Sequence, residues 1–251
     1  MYDYFLDGSH NFATDRELAA KAMAVFPGTA RGAREPGVPA PRRTALAHLG
    51  IDQFVDLGSG IPTSGNVHEI AFAANPEART VYVDSDAVAT THARLLLDGH
   101  PHARVIHADP RSPGDILENP ILTDHLDLGR AIAVLLVSVP PFIPNADDPA
   151  GIVEAYRDAC VPGSYLAISR RTNGYQPAAV RTVEGVYTQT TQPGVFRSRA
   201  QIAAPRPGYE LLAPGPSTSS TGSRIRTTPA PDPLGGDAAR YSVLAAVGRR
   251  D

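Results

Sequence analysis

With 251 residues, 42% of them hydrophobic, the chain has the size of one large α/β domain or two small ones and enough apolar side chains for a sizeable core. A net charge of −3 speaks against a nucleic-acid footprint, and no apolar run approaches the ~20 residues of a membrane-spanning helix. Cys160 is the single cysteine, which excludes a disulfide framework and a cysteine-built metal site. No N-terminal stretch has the layout of a signal peptide, so a cytoplasmic address and a small or neutral partner are expected.

In chain order, Leu18, Ala19, Ala22, Met23 and Phe26 recur at helical spacing within 11–26. Pro27, Pro36, Pro39 and Pro41, with glycines between them, mark 27–41 as a loop. Alternation then begins. Gln53–Leu57 is a buried strand running into glycines, Asn66–Ala74 a helix, Thr80–Asp84 a strand, and Asp86–Leu97 a helix capped by Asp86 or Ser85. Arg104–His107 is a short strand. Ser112–Leu117 is a short helix with Pro113 in its first turn, where a missing N–H costs nothing. The apolar run Ala131–Val137 suits a central parallel strand, Asp147–Cys160 a helix capped by an aspartate, and Ser164–Ser169 a further strand. Strands alternating with helices imply a parallel sheet covered on both faces. The last third is less regular. Gln176–Gln189 has weak helical character, Arg197–Ala204 reads as a short helix, and Tyr209–Leu212 and Tyr241–Val247 read as strands. Pro214–Gly236, rich in Pro, Ser, Thr and Gly, reads as a loop. No boundary divides the chain, so 1–251 is read as one domain.

The chemistry concentrates at Val55-Asp56-Leu57-Gly58-Ser59-Gly60, where a strand must turn sharply into a helix. Glycines there permit positive φ and close approach of a ligand to the backbone, at the sheet edge where open α/β folds bind ligands. A glycine pair alone is weak evidence, because a tight turn without a ligand uses it too. Asp84 ends the second strand, 24 residues beyond Gly60, where a carboxylate can accept both hydroxyls of an adenosine ribose or simply cap the next helix. Asp109 follows the third strand, where methyltransferases often place an acid against the adenine amino group. The order Asp-x-Gly-x-Gly, with Pro62 where a third glycine would stand, departs from the G-x-G-x-x-G of nicotinamide-binding folds. An acid at 56 can also attract a sulfonium or an ammonium by charge.

Several blocks in order resemble one family. Asp56–Ala71 is similar to the actinobacterial S-adenosylmethionine-dependent methyltransferase family once catalogued as a domain of unknown function. So are the opening Tyr2–Gly8 with Asn11–Arg16, Val81–Asp86, Asp147–Gly151, Pro162–Ser169 and Phe196–Ile202. The resemblance spans most of the chain. It implies a Rossmann-like class I methyltransferase fold, with a seven-stranded, mostly parallel sheet, helices on both faces and an antiparallel last strand. It also implies an N-terminal helical cap over 1–45 and a substrate lid over 172–205. S-adenosylmethionine is the implied cofactor, held by Asp56, Gly58, Ser59, Gly60, Asp84, Ser85, Asp109, Ser138 and Val139, with Tyr4 and Asn11 at the entrance; Tyr4 and Phe12 read equally as staples for the first helix. Two departures stand out. Val139-Pro140-Pro141-Phe142 replaces a run that often carries a histidine, and Glu35–Pro39 breaks the Arg- and Asn-rich helix expected near residue 36. The chain also opens directly in the first motif, where relatives usually carry earlier residues.

Methyl transfer from a sulfonium needs orientation and a dry site more than a strong base. His10 is the weak catalytic candidate. His68 and Glu69 read better as polar residues of a helix start. His48, His92, His100, His102, His107 and His125 make no metal spacing, and no metal is expected. Asp147 and Asp148 read as caps. Tyr175, Tyr187, Arg197 and Arg199 fall in the lid region, where Arg197 would pair an acidic substrate group or a structural carboxylate. The expected activity is O- or N-methylation of a small molecule, in secondary metabolism, with a small-molecule acceptor as partner and a homodimer allowed. The alternatives are a non-catalytic S-adenosylmethionine-binding or regulatory protein and an NAD-dependent oxidoreductase, the latter disfavoured by Asp56 and Asp109. A nucleic-acid methylase is disfavoured too, because Val139 lacks the amide such enzymes use.

Overall fold

The computed structural model describes residues 49–62, 66–171, 207–212, 217–218 and 243–251, with isolated positions at 13, 16, 17, 20, 46, 47, 185, 194, 195 and 197. Nearly all of the N-terminal cap, the 27–41 loop and nearly all of 172–205 lie outside the described residues. So do His10, Tyr4, Asn11, Phe12, Tyr175, Tyr187 and Arg199. Within the first expected helix, Ala13, Arg16, Glu17 and Ala20 are helical and exposed, at the spacing of a solvent-facing stripe.

The alternation read from sequence forms β1 (Gln53–Leu57), α1 (Val67–Ala74), β2 (Arg79–Asp84), α2 (Ala87–Leu96), β3 (Ala103–His107) and α3 (Pro113–Leu117). There follow α4 (Pro120–Thr123), β4 (Ala133–Val137), α5 (Pro149–Ala159) and β5 (Tyr165–Arg171). Last come β6 (Tyr209–Leu211), β7 (Ser217–Thr218) and β8 (Val243–Arg250). Caps account for the boundaries. Asp86 accepts the N–H groups of Val88 and Ala89, and Asp148 accepts that of Gly151. Sequence reading missed α4, a single turn capped by Asn119, because four residues show no periodicity. It also placed Ser217–Thr218 in a loop, whereas these two residues pair with β8. Arg197 was expected to open a helix but lies in an isolated β-bridge.

The sheet runs in the order β3-β2-β1-β4-β5-β8-β6, seven strands along one path with β7 paired to β8 beside it. β1 to β5 are mutually parallel, and β8 runs antiparallel to β5 and β6. Two apolar layers enclose the sheet. On one face Phe54, Tyr82 and Leu135 pack with Val67 and Ala71 of α1 and Ala93 of α2. On the other, Val55, Leu57, Val81 and Leu136 pack with Ile116, Leu122, Ile152 and Tyr156 from α3, α4 and α5. Leu135 is fully buried, and such a leucine contributes about 2 kcal/mol by leaving water. Some buried polar groups are matched, whereas Thr80 Oγ1 and His125 Nε2 have no hydrogen-bond partner among the described residues. The Gln53 amide donates to Asp127 O at 3.0 Å and accepts the Asp127 N–H at 2.7 Å, and Ser164 Oγ accepts the Ile132 N–H. Strand order reverses between β1 and β4, so the C-terminal ends of these strands and of β2 and β3 border one crevice.

Candidate functional site

The turn after β1 is held by backbone geometry. Gly58 and Gly60 adopt φ of +68° and +64°, which a side chain would strain. The N–H groups of Gly58 and Ser59 both donate to Val83 O of β2, at 2.7 and 3.1 Å. A Cβ on Gly58 would stand 2.2 Å from Val139 Cγ2, so the turns after β1 and β4 are in direct contact. Among the described residues a Cβ on Gly60 would meet nothing within 4 Å. Ser59 turns its hydroxyl back onto the Gly60 carbonyl.

Asp84 closes this turn from β2. Its Oδ2 accepts the Gly60 N–H at 2.7 Å and its Oδ1 accepts the Asp86 N–H at 2.8 Å. Burial pushes the carboxyl above its ordinary value, against the pull of the Asp86 and Gly60 N–H groups. An ionised carboxylate has about four acceptor directions, so beside the Gly60, Asp86 and Ser85 N–H groups it retains capacity for a further donor. Asp84 lies opposite His107 in the β2–β3 register, and His107 Nε2 sits 3.0 Å from the Ser85 carbonyl.

Asp56 lies on β1 between Tyr82 and Leu135, only 7% exposed. It shares the face on which α1 packs. Asp109, beyond β3, is bound by Arg111, whose Nε donates to both carboxylate oxygens at 3.0 Å and whose Nη2 donates to Oδ2 at 2.6 Å. Those contacts hold the Asp109 carboxyl below its ordinary value. Nη1 of the same guanidinium reaches Asp147 Oδ2 at 2.7 Å. From α5, the Tyr156 hydroxyl donates to Pro110 O at 2.9 Å and steadies the same loop.

Beyond β4, Ser138 adopts φ of +61°, a strained conformation for a residue with a side chain. Its N–H is held by Ser169 of β5, through the carbonyl at 3.2 Å and the hydroxyl at 3.0 Å. The run that follows is fastened from a distant part of the chain. Buried Arg197 donates to Pro140 O, Ile143 O and Asn145 Oδ1, at 3.1, 3.0 and 2.6 Å, and the Val195 N–H donates to Pro141 O at 2.6 Å. Among the described residues Arg197 has no carboxylate partner. Its partners are carbonyls and an amide oxygen.

The remaining candidates have local roles. Glu69 accepts the Asn66 N–H at 2.9 Å as the reciprocal half of a helix-start box. His68 is half-buried. Its N–H donates to the Tyr82 hydroxyl at 3.0 Å, and its Nδ1 lies 2.7 Å from that hydroxyl. Asp148 caps α5, whereas Asp147 pairs with Arg111 and does not cap. Sequence reasoning missed Arg111, Tyr156 and Ser169, since a lone arginine, tyrosine or serine carries no motif. Only the Asp109-x-Arg111 spacing hinted at an ion pair.

The site thus joins Gly58, Ser59, Gly60, Asp84 and Val139 by direct contact, with Asp56, Ser85 and Ser138 on the same strand ends and Asp109 held alongside by Arg111. Among the described residues, the space left at Gly60 beside the partly buried Asp84 carboxylate fits the adenosyl part of S-adenosylmethionine.

Comparison with known proteins gives the same direction. The model of the S-adenosyl methyltransferase family matches residues 1–250. A Thermobifida fusca protein provisionally assigned as a methyltransferase is 34% identical, with a TM-score of 0.88 over 100% of this chain and 93% of that one. A Streptomyces avermitilis protein of the DUF574 family is 32% identical, with a TM-score of 0.89 over 100% of this chain and 95% of that one. The mitomycin 7-O-methyltransferase shares the fold, at 18% identity and a TM-score of 0.52, over 84% of this chain and 54% of its own. No curated protein matches the sequence.

Proposed function

This chain belongs to the S-adenosyl methyltransferase family, and we propose that within it the protein transfers the methyl group to an oxygen or nitrogen of a small molecule, as in secondary metabolism. The carrying observation is the Gly60–Asp84 contact, which sets a partly buried carboxylate beside the glycine turn at the point where strand order reverses. When bound, S-adenosylmethionine supplies an activated methyl carbon.

The chain's own residues bind, orient and exclude water. Asp84 accepts from the ribose with the acceptor direction that the Gly60, Asp86 and Ser85 N–H groups leave free. Gly58 and Gly60 let the ligand lie against the main chain. Ser59 and Ser85 flank the ribose. Asp109, whose two oxygens Arg111 already engages, stands at the adenine edge, where the amino group would share the carboxylate with the Arg111 donors. Ser138 and Val139 face the amino-acid end, and the charge of Asp56 favours the cationic end of the ligand. Tyr4, Asn11 and His10, outside the described residues, are proposed for the entrance, with His10 as the weak candidate base. Orientation alone supplies a large part of the rate in such a displacement. A net charge of −3 fits a small acceptor better than a nucleic acid.

The test is calorimetry with S-adenosylmethionine on the wild type and Asp84→Ala, followed by release of S-adenosylhomocysteine across a panel of phenols, amines and carboxylates. Saturable binding with release on one acceptor class supports the reading. A second reading, binding without turnover, draws on buried Pro140 and Pro141, which occupy the run after β4 where a histidine base would stand. It predicts binding and no release across the panel.

A further inference from the structure

We propose that the turn Asn145–Asp147 is a common bolt through which the Asp109 loop and the Val195–Arg197 segment are set together, with Arg111 as a positioning residue for the cofactor end of the site. The inference rests on the proposed reading of the Asp109 loop as adenine-facing. The turn is a single 3-10 turn closed by the Asp147 N–H onto Pro144 O. One guanidinium grips each of its ends. Arg111, clamped on Asp109, reaches Asp147 at its C-terminal end across 2.7 Å. Arg197 reaches Asn145 at its N-terminal end across 2.6 Å, while its other donors hold the carbonyls of Pro140 and Ile143.

The two grips differ in surroundings. Arg111 is about half exposed, at 45% of its side-chain surface, whereas Arg197 is only 7% exposed. The Arg111 end is therefore the adjustable one. A bidentate guanidinium fixes direction as well as distance, so a change of Asp109 position moves the Arg111 fork and, through Asp147, the turn. A displaced turn carries Asn145 and the Pro140–Ile143 carbonyls with it, and these are the anchors of Arg197 and of the Val195 N–H. Ligand at Asp109 and order at Val195 are therefore coupled, and the coupling is reciprocal.

The experiment is amide hydrogen exchange of wild type, Asp147→Ala and Asn145→Ala, each with and without saturating S-adenosylhomocysteine, with calorimetry on the same samples. The two substitutions cut opposite ends of the bolt, and neither touches Asp148, the cap of α5. In the wild type the ligand slows exchange of the Val195 amide about 5-fold or more, the lower end of ordinary coupling energies. In each variant that response falls below about 2-fold, while the ligand still binds. A wild type that binds ligand with no change at Val195 overturns the coupling and leaves the cofactor site standing. A full response in either variant also overturns it. Failure of the wild type to bind S-adenosylhomocysteine overturns both the coupling and the cofactor reading beneath it.

Discussion

The main-chain N–H of Gly60 donates to the Asp84 carboxylate across 2.7 Å, joining the turn after β1 to the end of β2. One carboxylate thereby fixes a glycine turn and keeps acceptor capacity for a ligand. Its burial holds it above its ordinary value of 3.8.

Asp84→Ala weakens S-adenosylhomocysteine binding by about 1–3 kcal/mol, the cost of losing charged hydrogen bonds, as read by calorimetry. The pH dependence has a definite sign. The folded chain keeps a proton that the unfolded chain has released, so the stability from neutral Asp84 is complete below 3.8 and is lost as pH rises through the higher folded value. Ribose hydroxyls prefer the ionised form, so affinity runs the other way and rises with pH through that window. Asp84→Asn abolishes this rise. An Asn variant with the wild-type pH profile would show that another group titrates.

Gly58→Ala destabilises the protein by about 2–4 kcal/mol in urea unfolding, from a left-handed backbone and a collision with Val139. The collision is with Cγ2 of Val139, at 2.2 Å from the added Cβ. Adding Val139→Ala removes the collision but not the backbone strain, so the double variant recovers part of the loss. Simple additivity of the two single effects would count against contact between the turns.

Arg197→Met costs about 2–4 kcal/mol, because it strips the carbonyls of Pro140 and Ile143 and the Asn145 amide oxygen of a charged donor. Arg197→Lys rescues little, since an ammonium cannot span three acceptors held by a planar fork. Equal stability of the lysine variant and the wild type would refute the three-point grip.

Tyr82→Phe removes the hydroxyl that accepts the His68 N–H and pairs with its Nδ1. Because that hydroxyl accepts from the backbone, its own proton is available to Nδ1, which favours the neutral ring. Burial, then His100, already hold His68 below its ordinary value of 6.5. The stability from neutral His68 is complete above 6.5 and is lost as pH falls through the lower folded value. Proton NMR of the ring resonances in Tyr82→Phe shows His68 titrating at higher pH than in the wild type. An unmoved titration would mean the contact does not tune the ring.

Much of the fold was legible because period and punctuation agree. The run Gln53–Leu57 ends at glycines, Asp86 and Leu97 bound α2 as caps, and Ala133–Val137 is apolar on both faces as a central strand must be. The site was legible where a residue type is demanded by backbone geometry, as at Gly58 and Gly60. Arg111 and Arg197 were not, because an arginine's partner is set by where the chain returns in space. Arg197 meets residues 52 to 57 positions away. The short α4 and β7 were invisible because four and two residues hold no periodicity.

The sequence by itself determined the alternating elements, the glycine turn and the acids at the strand ends, since these follow from local sterics, periodicity and spacing. Only the tertiary structure decided how those acids are used. It tied Asp84 to Gly60, engaged Asp109 with Arg111, and converted Arg197 from a candidate substrate partner into a fastener of main-chain carbonyls. Hydrogen bonds between residues far apart in sequence depend on three-dimensional register, which no local pattern encodes.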